Sequence, residues 1–371
     1  MSHFSMLAVL LVSSSVTAQS VFPADSKSWR FDSDDIKIET VAGKKAIKIG
    51  SGKALLEDVL FADGTIEFDM YLSGERAFAY LYFRGQSDSD VEAFYIRTHK
   101  HKAPDALQYA PVFQRRSAWQ LYHGDSGTAS AELPAKEWIK IKIELVGRKA
   151  TFWIGEKPEP AMIINQLGHE PKAGWLAIRG FVPKNSSAPY SAYFSSLKIT
   201  PSEPKTVEAI AKSLPDGQLT HWRVSPTFDT KQGPVTDIPA EISAVSWSKP
   251  DMQANGSFEF LRSRVIPKGS RHWTVAADTQ LISAAAQVCE VHFGFSDELT
   301  LSVNGQHILY QDSSYRYALR RQQGVMHPEQ LIAYIPLNKG ENTLRAVVSD
   351  RFGGWGLSAR MQNCNGTREK K

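Results

Sequence analysis

Cysteine is nearly absent from the chain: Cys289 and Cys364 are the only two among 371 residues. That excludes a disulfide-dense scaffold and a four-thiolate metal site. An even pair in an exported protein predicts one disulfide, Cys289–Cys364. An excess of one charge is also missing. Lys and Arg number 43 against 39 Asp and Glu, for a net charge of +4. No basic block stands out, so no nucleic-acid partner is expected. After the first twenty residues no apolar run is long enough to cross a bilayer, and no membrane span is expected. Neither a glycine-rich phosphate loop nor a serine nucleophile elbow occurs. Helical periodicity is scarce, with only Val207–Leu214 reading as a short helix beside a proline-rich stretch.

What is present begins with a leader. Phe4 to Val16 is apolar with small residues, and Val16-Thr17-Ala18 suits a signal peptidase. Residues 1–18 are therefore expected to be a signal peptide, and the mature chain to be secreted or periplasmic. Beyond it, hydrophobic content of 42% and charged content of 22% are those of a globular protein. Alternation of apolar and polar residues recurs in short segments from Trp29 to the end, separated by Gly, Asp, Ser and Pro. The expected class is all-β, with two β-sandwich (jelly-roll) domains in tandem. The first covers 19–200 and the second 216–364. A linker, 201–215, holds Pro201, Pro204 and Pro215, and 365–371 is expected to be a disordered tail. Asn304-Gly305 marks a two-residue hairpin, because both positions tolerate positive φ.

Three segments of the first half sort by face. Ile66, Phe68 and Met70 oppose Glu67, Asp69 and Tyr71. Leu81 and Phe83 oppose Tyr80, Tyr82 and Arg84. Phe94 and Ile96 oppose Tyr95, Arg97 and His99. The three are expected to be neighbouring strands, so that their polar sides form one surface of rings, forked donors and carboxylates. Gln108-Tyr109 and the run Trp119 to His123 continue that chemistry. Sugars suit such a surface, since their C–H faces pack on rings and their hydroxyls exchange hydrogen bonds with Arg, Asp and His. The alternative is a structural face with Arg97 paired to Glu67 or Asp69.

Gly64-Thr65-Ile66-Glu67-Phe68-Asp69, Tyr82-Phe83-Arg84, Phe94-Tyr95-Ile96-Arg97, Trp119-Gln120-Leu121-Tyr122 and Trp138 to Ile143 resemble the laminin-G and concanavalin-A-like jelly rolls, over roughly residues 20 to 200. Phe293 to Asp297, Leu301 to Gly305, Ile335-Pro336-Leu337, Lys339 to Asn342 and Phe352-Gly353-Gly354-Trp355-Gly356 resemble the galactose-binding-like jelly rolls. These resemblances imply sugar binding, sometimes with calcium. The concanavalin-A-like group also contains glycoside hydrolases, with Glu-x-Asp-x-Glu on one strand. Glu67 and Asp69 match its first two positions, but Tyr71 stands where the acid belongs. The expectation is an exported, non-catalytic glycan or cell-surface binding protein. The hydrolase and a structural module without ligand are the alternatives. Glu67, Asp69, Tyr80, Tyr82, Arg84, Tyr95, Arg97, His99, Tyr109, Trp119, Tyr122 and Trp355 are the candidate ligand-binding residues. Trp355 is either a displayed platform or a core plug. No cofactor is required; Asp88, Asp90 and Glu92 could hold a structural calcium, and the His99-Lys100-His101 spacing lacks a third metal ligand.

Overall fold

The computed structural model describes residues 18–124, 127–203, 213–266, 269, 272–319 and 322–371. The leader and the expected Val207–Leu214 helix fall mainly on residues 1–17 and 204–212, outside that set. Strands dominate, as β-branched and aromatic residues at every second position require. Among the described residues the helical content is one turn, Ala240–Ser243, and a 3-10 turn, Phe260–Arg262.

Residues 20–201 build two nine-stranded antiparallel sheets. The first places Gly64–Leu72 at its centre, paired with Trp138–Val146 on one side and with Ala192–Phe194 and Leu197–Pro201 on the other. The second runs through Asp90–Arg97, Phe78–Ser87, Gly174–Phe181 and Gly52–Phe61. Ile66, Phe68 and Met70 from one sheet, and Leu81, Phe83, Phe94 and Ile96 from the other, are buried in one core. Phe94 stacks on Phe152 across the gap, with ring centroids 4.6 Å apart.

Residues 223–369 build the other two sheets, of seven and four strands. Trp273–Ser283 and Gly340–Asp350 pair along eleven residues in the larger one, and Gln287–Ser296 is central in the smaller. Asn304 and Gly305 turn the hairpin between Glu298–Val303 and Gln306–Asp312 with φ of +51° and +80°. Cys289 and Cys364 are joined in a disulfide, with Cα atoms 4.9 Å apart. The end of the chain is not a loose tail. Thr367–Glu369 adds a short strand to Trp273–Ser283, and the Glu369 carboxylate accepts hydrogen bonds from the backbone of Thr220 and His221. Those two N–H groups need an acceptor, and Glu369 supplies it.

The two halves meet over the segment Ala118–Tyr122. The Gln120 N–H donates to Gly353 O (2.9 Å), its O accepts from the Met326 N–H (3.0 Å), and its side chain donates to Gln323 O (2.7 Å). Gln114 reaches Leu261 O and Arg264 O at 2.8 and 2.6 Å. Glycine is required where the loops touch. A Cβ on Gly353, at φ +94°, would lie 2.6 Å from Trp119 Nε1, and one on Gly354 2.5 Å from Leu121 Cδ1.

Candidate functional site

A cleft of about 890 Å³ opens where the sheet carrying Phe78–Ser87 meets the second half. Its floor comes from three adjacent strands, Phe78–Ser87, Asp90–Arg97 and Gly174–Phe181. Their core-facing residues are apolar, so alternation turns Tyr80, Tyr82, Tyr95, Arg97 and Arg179 outward. Tyr80 and Tyr95 are cross-strand partners with ring centroids 4.7 Å apart, and Tyr80 meets Tyr82 edge-on at 5.8 Å. The Arg179 guanidinium lies 4.8 Å from the Tyr80 centroid and 5.9 Å from those of Tyr82 and Phe181. Such cation–ring contacts hold the guanidinium in place without neutralising it.

Arg97 is fixed from several sides. It donates to Asp105 O (2.7 Å), Gln108 Oε1 (3.1 Å) and the Tyr95 hydroxyl (3.2 Å). Its ion pair is with Asp105, at 3.8 Å, and not with Glu67 or Asp69. Lys100 also bonds Asp105. Burial works to raise the Asp105 carboxyl, but the Lys100 hydrogen bond and the Arg97 charge outweigh it and leave it below the usual range. Burial raises the phenols of Tyr80, Tyr82 and Tyr95, the last to about 12. They therefore stay neutral hydroxyls, able to donate and accept. Burial and then the Lys100 charge lower His99, whose buried Nδ1 has no hydrogen-bond partner among the described residues.

The roof comes from the loops. Trp119 meets Tyr315 and Phe352 edge-on at 6.2 and 6.4 Å, and those two rings lie 5.4 Å apart. Six of the expected residues thus meet in one cleft: Tyr80, Tyr82, Tyr95, Arg97, His99 and Trp119.

The other six do not. Glu67 and Asp69 lie on the first sheet, on the far side of the core, because Gly64–Leu72 and Phe78–Ser87 belong to different sheets. There Glu67 faces Lys142 and Lys198 across the strands, and Asp69 pairs with Lys44 at 2.5 Å. Arg84 breaks the alternation. With φ of +53° at a register shift, it turns into the core and binds Asp63 Oδ1 at 2.5 Å. Tyr109 faces inward beside Phe94 and donates to Glu92 Oε2 at 2.6 Å. Tyr122 donates to Glu259 Oε2 at 2.9 Å in the joint between the halves. Trp355 is the plug: it is fully buried against Phe260 and donates to Val348 O.

The proposed calcium carboxylates also separate. Asp88 pairs with Lys53, Asp90 accepts from Ser87 and Ser89, and Glu92 is buried with Tyr109 and the His169 N–H. His101 accepts from the Leu133 N–H, away from His99. Among the described residues no group of three or more His, Cys, Asp or Glu could hold a metal ion, and no helix is long and apolar enough to cross a membrane.

Sequence reasoning missed Arg179 and Phe181. The signal was there: in Trp175 to Phe181 they fall opposite Leu176 and Ile178 by simple alternation.

Fold and cleft together define an all-β protein of paired jelly-roll sheets with a ring- and arginine-lined cleft where its halves meet. No family model and no curated protein matches the chain. Solved structures match about half of it. The carbohydrate-binding module CBM66 from Bacillus subtilis aligns with a TM-score of 0.35 and 13% identity, over 47% of this chain and 96% of its own. A Bacillus subtilis protein of unknown function with a galectin-like fold gives 0.37 and 13%, over 50% and 96%. The Bacillus licheniformis β-glucanase gives 0.37 and 8%, over 49% and 97%.

Proposed function

We propose that the protein binds carbohydrate in this cleft and does not hydrolyse it. The observation that carries the reading is the composition of the cleft: tyrosine and tryptophan rings beside anchored guanidinium groups, in a volume suited to a few sugar units. Rings supply apolar area for C–H faces, and neutral phenols with fixed arginines supply oriented hydrogen bonds. Hydrolysis calls for two carboxylates, roughly 5 Å apart for retention or 6.5–9.5 Å for inversion. Among the described lining residues Asp105 is the one carboxylate, and Arg97 and Lys100 hold it. The leader motivates a matching proposal of export to the periplasm or outside. The loops of the second half, a galactose-binding-like sandwich in this reading, act as the roof.

Tyr82→Ala is expected to weaken saccharide binding by about 1–3 kcal/mol, roughly 5- to 150-fold. The measurement is calorimetric titration of the mature chain against a saccharide panel, alongside release of reducing ends. A panel in which nothing binds would refute the reading. Turnover of a bound polysaccharide would make the protein an enzyme.

A further inference from the structure

Resting on that reading, we propose that the ligand is an anionic saccharide, one whose residues carry carboxylate or sulfate groups, and that Arg179 is a determinant of this specificity. The cleft is far more basic than the chain. Among the described residues its lining holds seven Lys and Arg against one Asp, whereas the whole chain carries a net charge of only +4. The lining's excess of positive charge therefore exceeds the net charge of the whole chain.

The way these cations are partnered separates them from structural arginines. Among the described arginines outside the cleft, six of ten meet carboxylates, including Arg30 with Glu57, Arg148 with Glu170, Arg345 with Asp278 and Arg360 with Glu329, while Arg223, Arg262, Arg264 and Arg368 do not. Arg84 does the same in the core of the first half, and the partly buried Arg351 meets the buried Glu298 and Asp312 in the second. In the cleft, Asp105 serves Arg97 and Lys100. Among the described residues Arg76, Arg115, Arg116, Arg179 and Arg316 form no ion pair. Three of them are held by rings instead: Arg179 over Tyr80, Arg116 over Trp273 at 4.6 Å, and Arg316 over Tyr315 at 4.8 Å. Arg76 donates to Asn185 Oδ1 at 3.3 Å. Nearby carboxylates are engaged or buried, Asp88 with Lys53 and Asp350 at 2% exposure.

Like charges gathered in a recess repel one another and raise the local potential, which an anion relieves. A guanidinium presents a fork that matches a carboxylate or a sulfate bidentately. A neutral sugar would leave this charge uncompensated, so the lining discriminates by charge. Rings under and beside the guanidinium groups keep the site a sugar platform and not merely a basic surface.

The test compares ligands differing only in charge, by calorimetry on the mature chain. Polygalacturonate is set against its methyl ester, and dextran sulfate against dextran, so the two arms distinguish carboxylate from sulfate. At least one anionic member is expected to bind, its neutral counterpart at least about 10-fold more weakly. Binding should weaken as salt is raised. Arg179→Gln should lower affinity for the anionic ligand about 10-fold or more, with Arg179→Lys recovering part of it. Arg116→Gln, on an exposed hairpin, provides a second variant should Arg179→Gln disturb the tyrosines, and unchanged circular dichroism monitors folding. Equal binding of charged and neutral partners, or anionic binding indifferent to both arginines, overturns this inference and leaves the saccharide reading standing. Tighter binding of oligothymidylate than of any saccharide overturns both, as does failure of every charged and neutral saccharide to bind.

Discussion

Arg84→Met is expected to destabilise the first half by about 3–5 kcal/mol, the largest effect of any single change considered. Arg84 and Asp63 form an ion pair inside the sandwich, with side chains 1% and 3% exposed. Asp63 also takes the Gly147 N–H on both oxygens, at 3.1 Å, and Arg84 Nε donates to Ala62 O at 2.8 Å. Removing the guanidinium leaves a carboxylate in the core without its counter-charge, and the desolvation cost of that carboxylate is no longer offset. Adding Asp63→Asn should return part of the loss, because a neutral amide is far cheaper to bury. Urea unfolding followed at its first transition measures both. A loss below about 1 kcal/mol for Arg84→Met, or no recovery in the double variant, would contradict this account.

The second large effect is a loss of stability with rising pH, located at Glu259. Burial is the main cause that pushes this carboxyl up to about 8, against opposing influences from the Tyr122 hydrogen bond and the Arg262 charge. The geometry agrees. Tyr122 donates to Oε2, while the buried Oε1 has no hydrogen-bond partner among the described residues, so a charge on this carboxylate is poorly compensated. A group whose folded value lies above its unfolded one stabilises the fold fully below the unfolded value, 4.5, and loses that contribution as pH climbs through the folded value. Between those limits the loss runs at about 1.4 kcal/mol per pH unit, a few kcal/mol in total. Glu259→Gln keeps the shape of the neutral acid without a proton to lose. Wild type and variant are therefore expected to melt alike near pH 5. Above pH 8 the variant should be the more stable. Melting curves across that range decide it, and a constant difference at every pH would sink the assignment. Tyr122 and Glu259 come from opposite halves, so this titration acts at the joint beneath the Trp119 roof.

How much of this was legible follows from the range over which each signal acts. Alternation in Phe78–Ser87 and Asp90–Arg97 showed that Tyr80, Tyr82, Tyr95, Arg97 and His99 face away from the core, and the structure places them together. Side-chain direction in a regular strand is a local property. The same rule failed at Arg84, where a positive φ shifts the register, and nothing in Phe83-Arg84-Gly85 announces that shift beyond the glycine. It also failed for Glu67 and Asp69, for a different reason. Their direction relative to Ile66 and Phe68 was read correctly, but consecutive strands need not be neighbours. The chain crosses to the other sheet after Leu72, which turns one supposed surface into two outer faces with the core between them.

The sequence by itself determined the all-β class, the apolar face of each strand and the turn at Asn304-Gly305, because pleat and turn chemistry are written within a few residues. Tertiary structure alone decided which strands are neighbours, and so which rings and charges share a surface. It set Trp355 in the core, and it gathered arginines from distant segments, among them Arg76, Arg116, Arg179 and Arg316, around one cleft. A charge balance summed along the chain cannot show that concentration. Electrostatic potential depends on distances in space, and these are fixed only when the two halves close on Trp119 and Gln120.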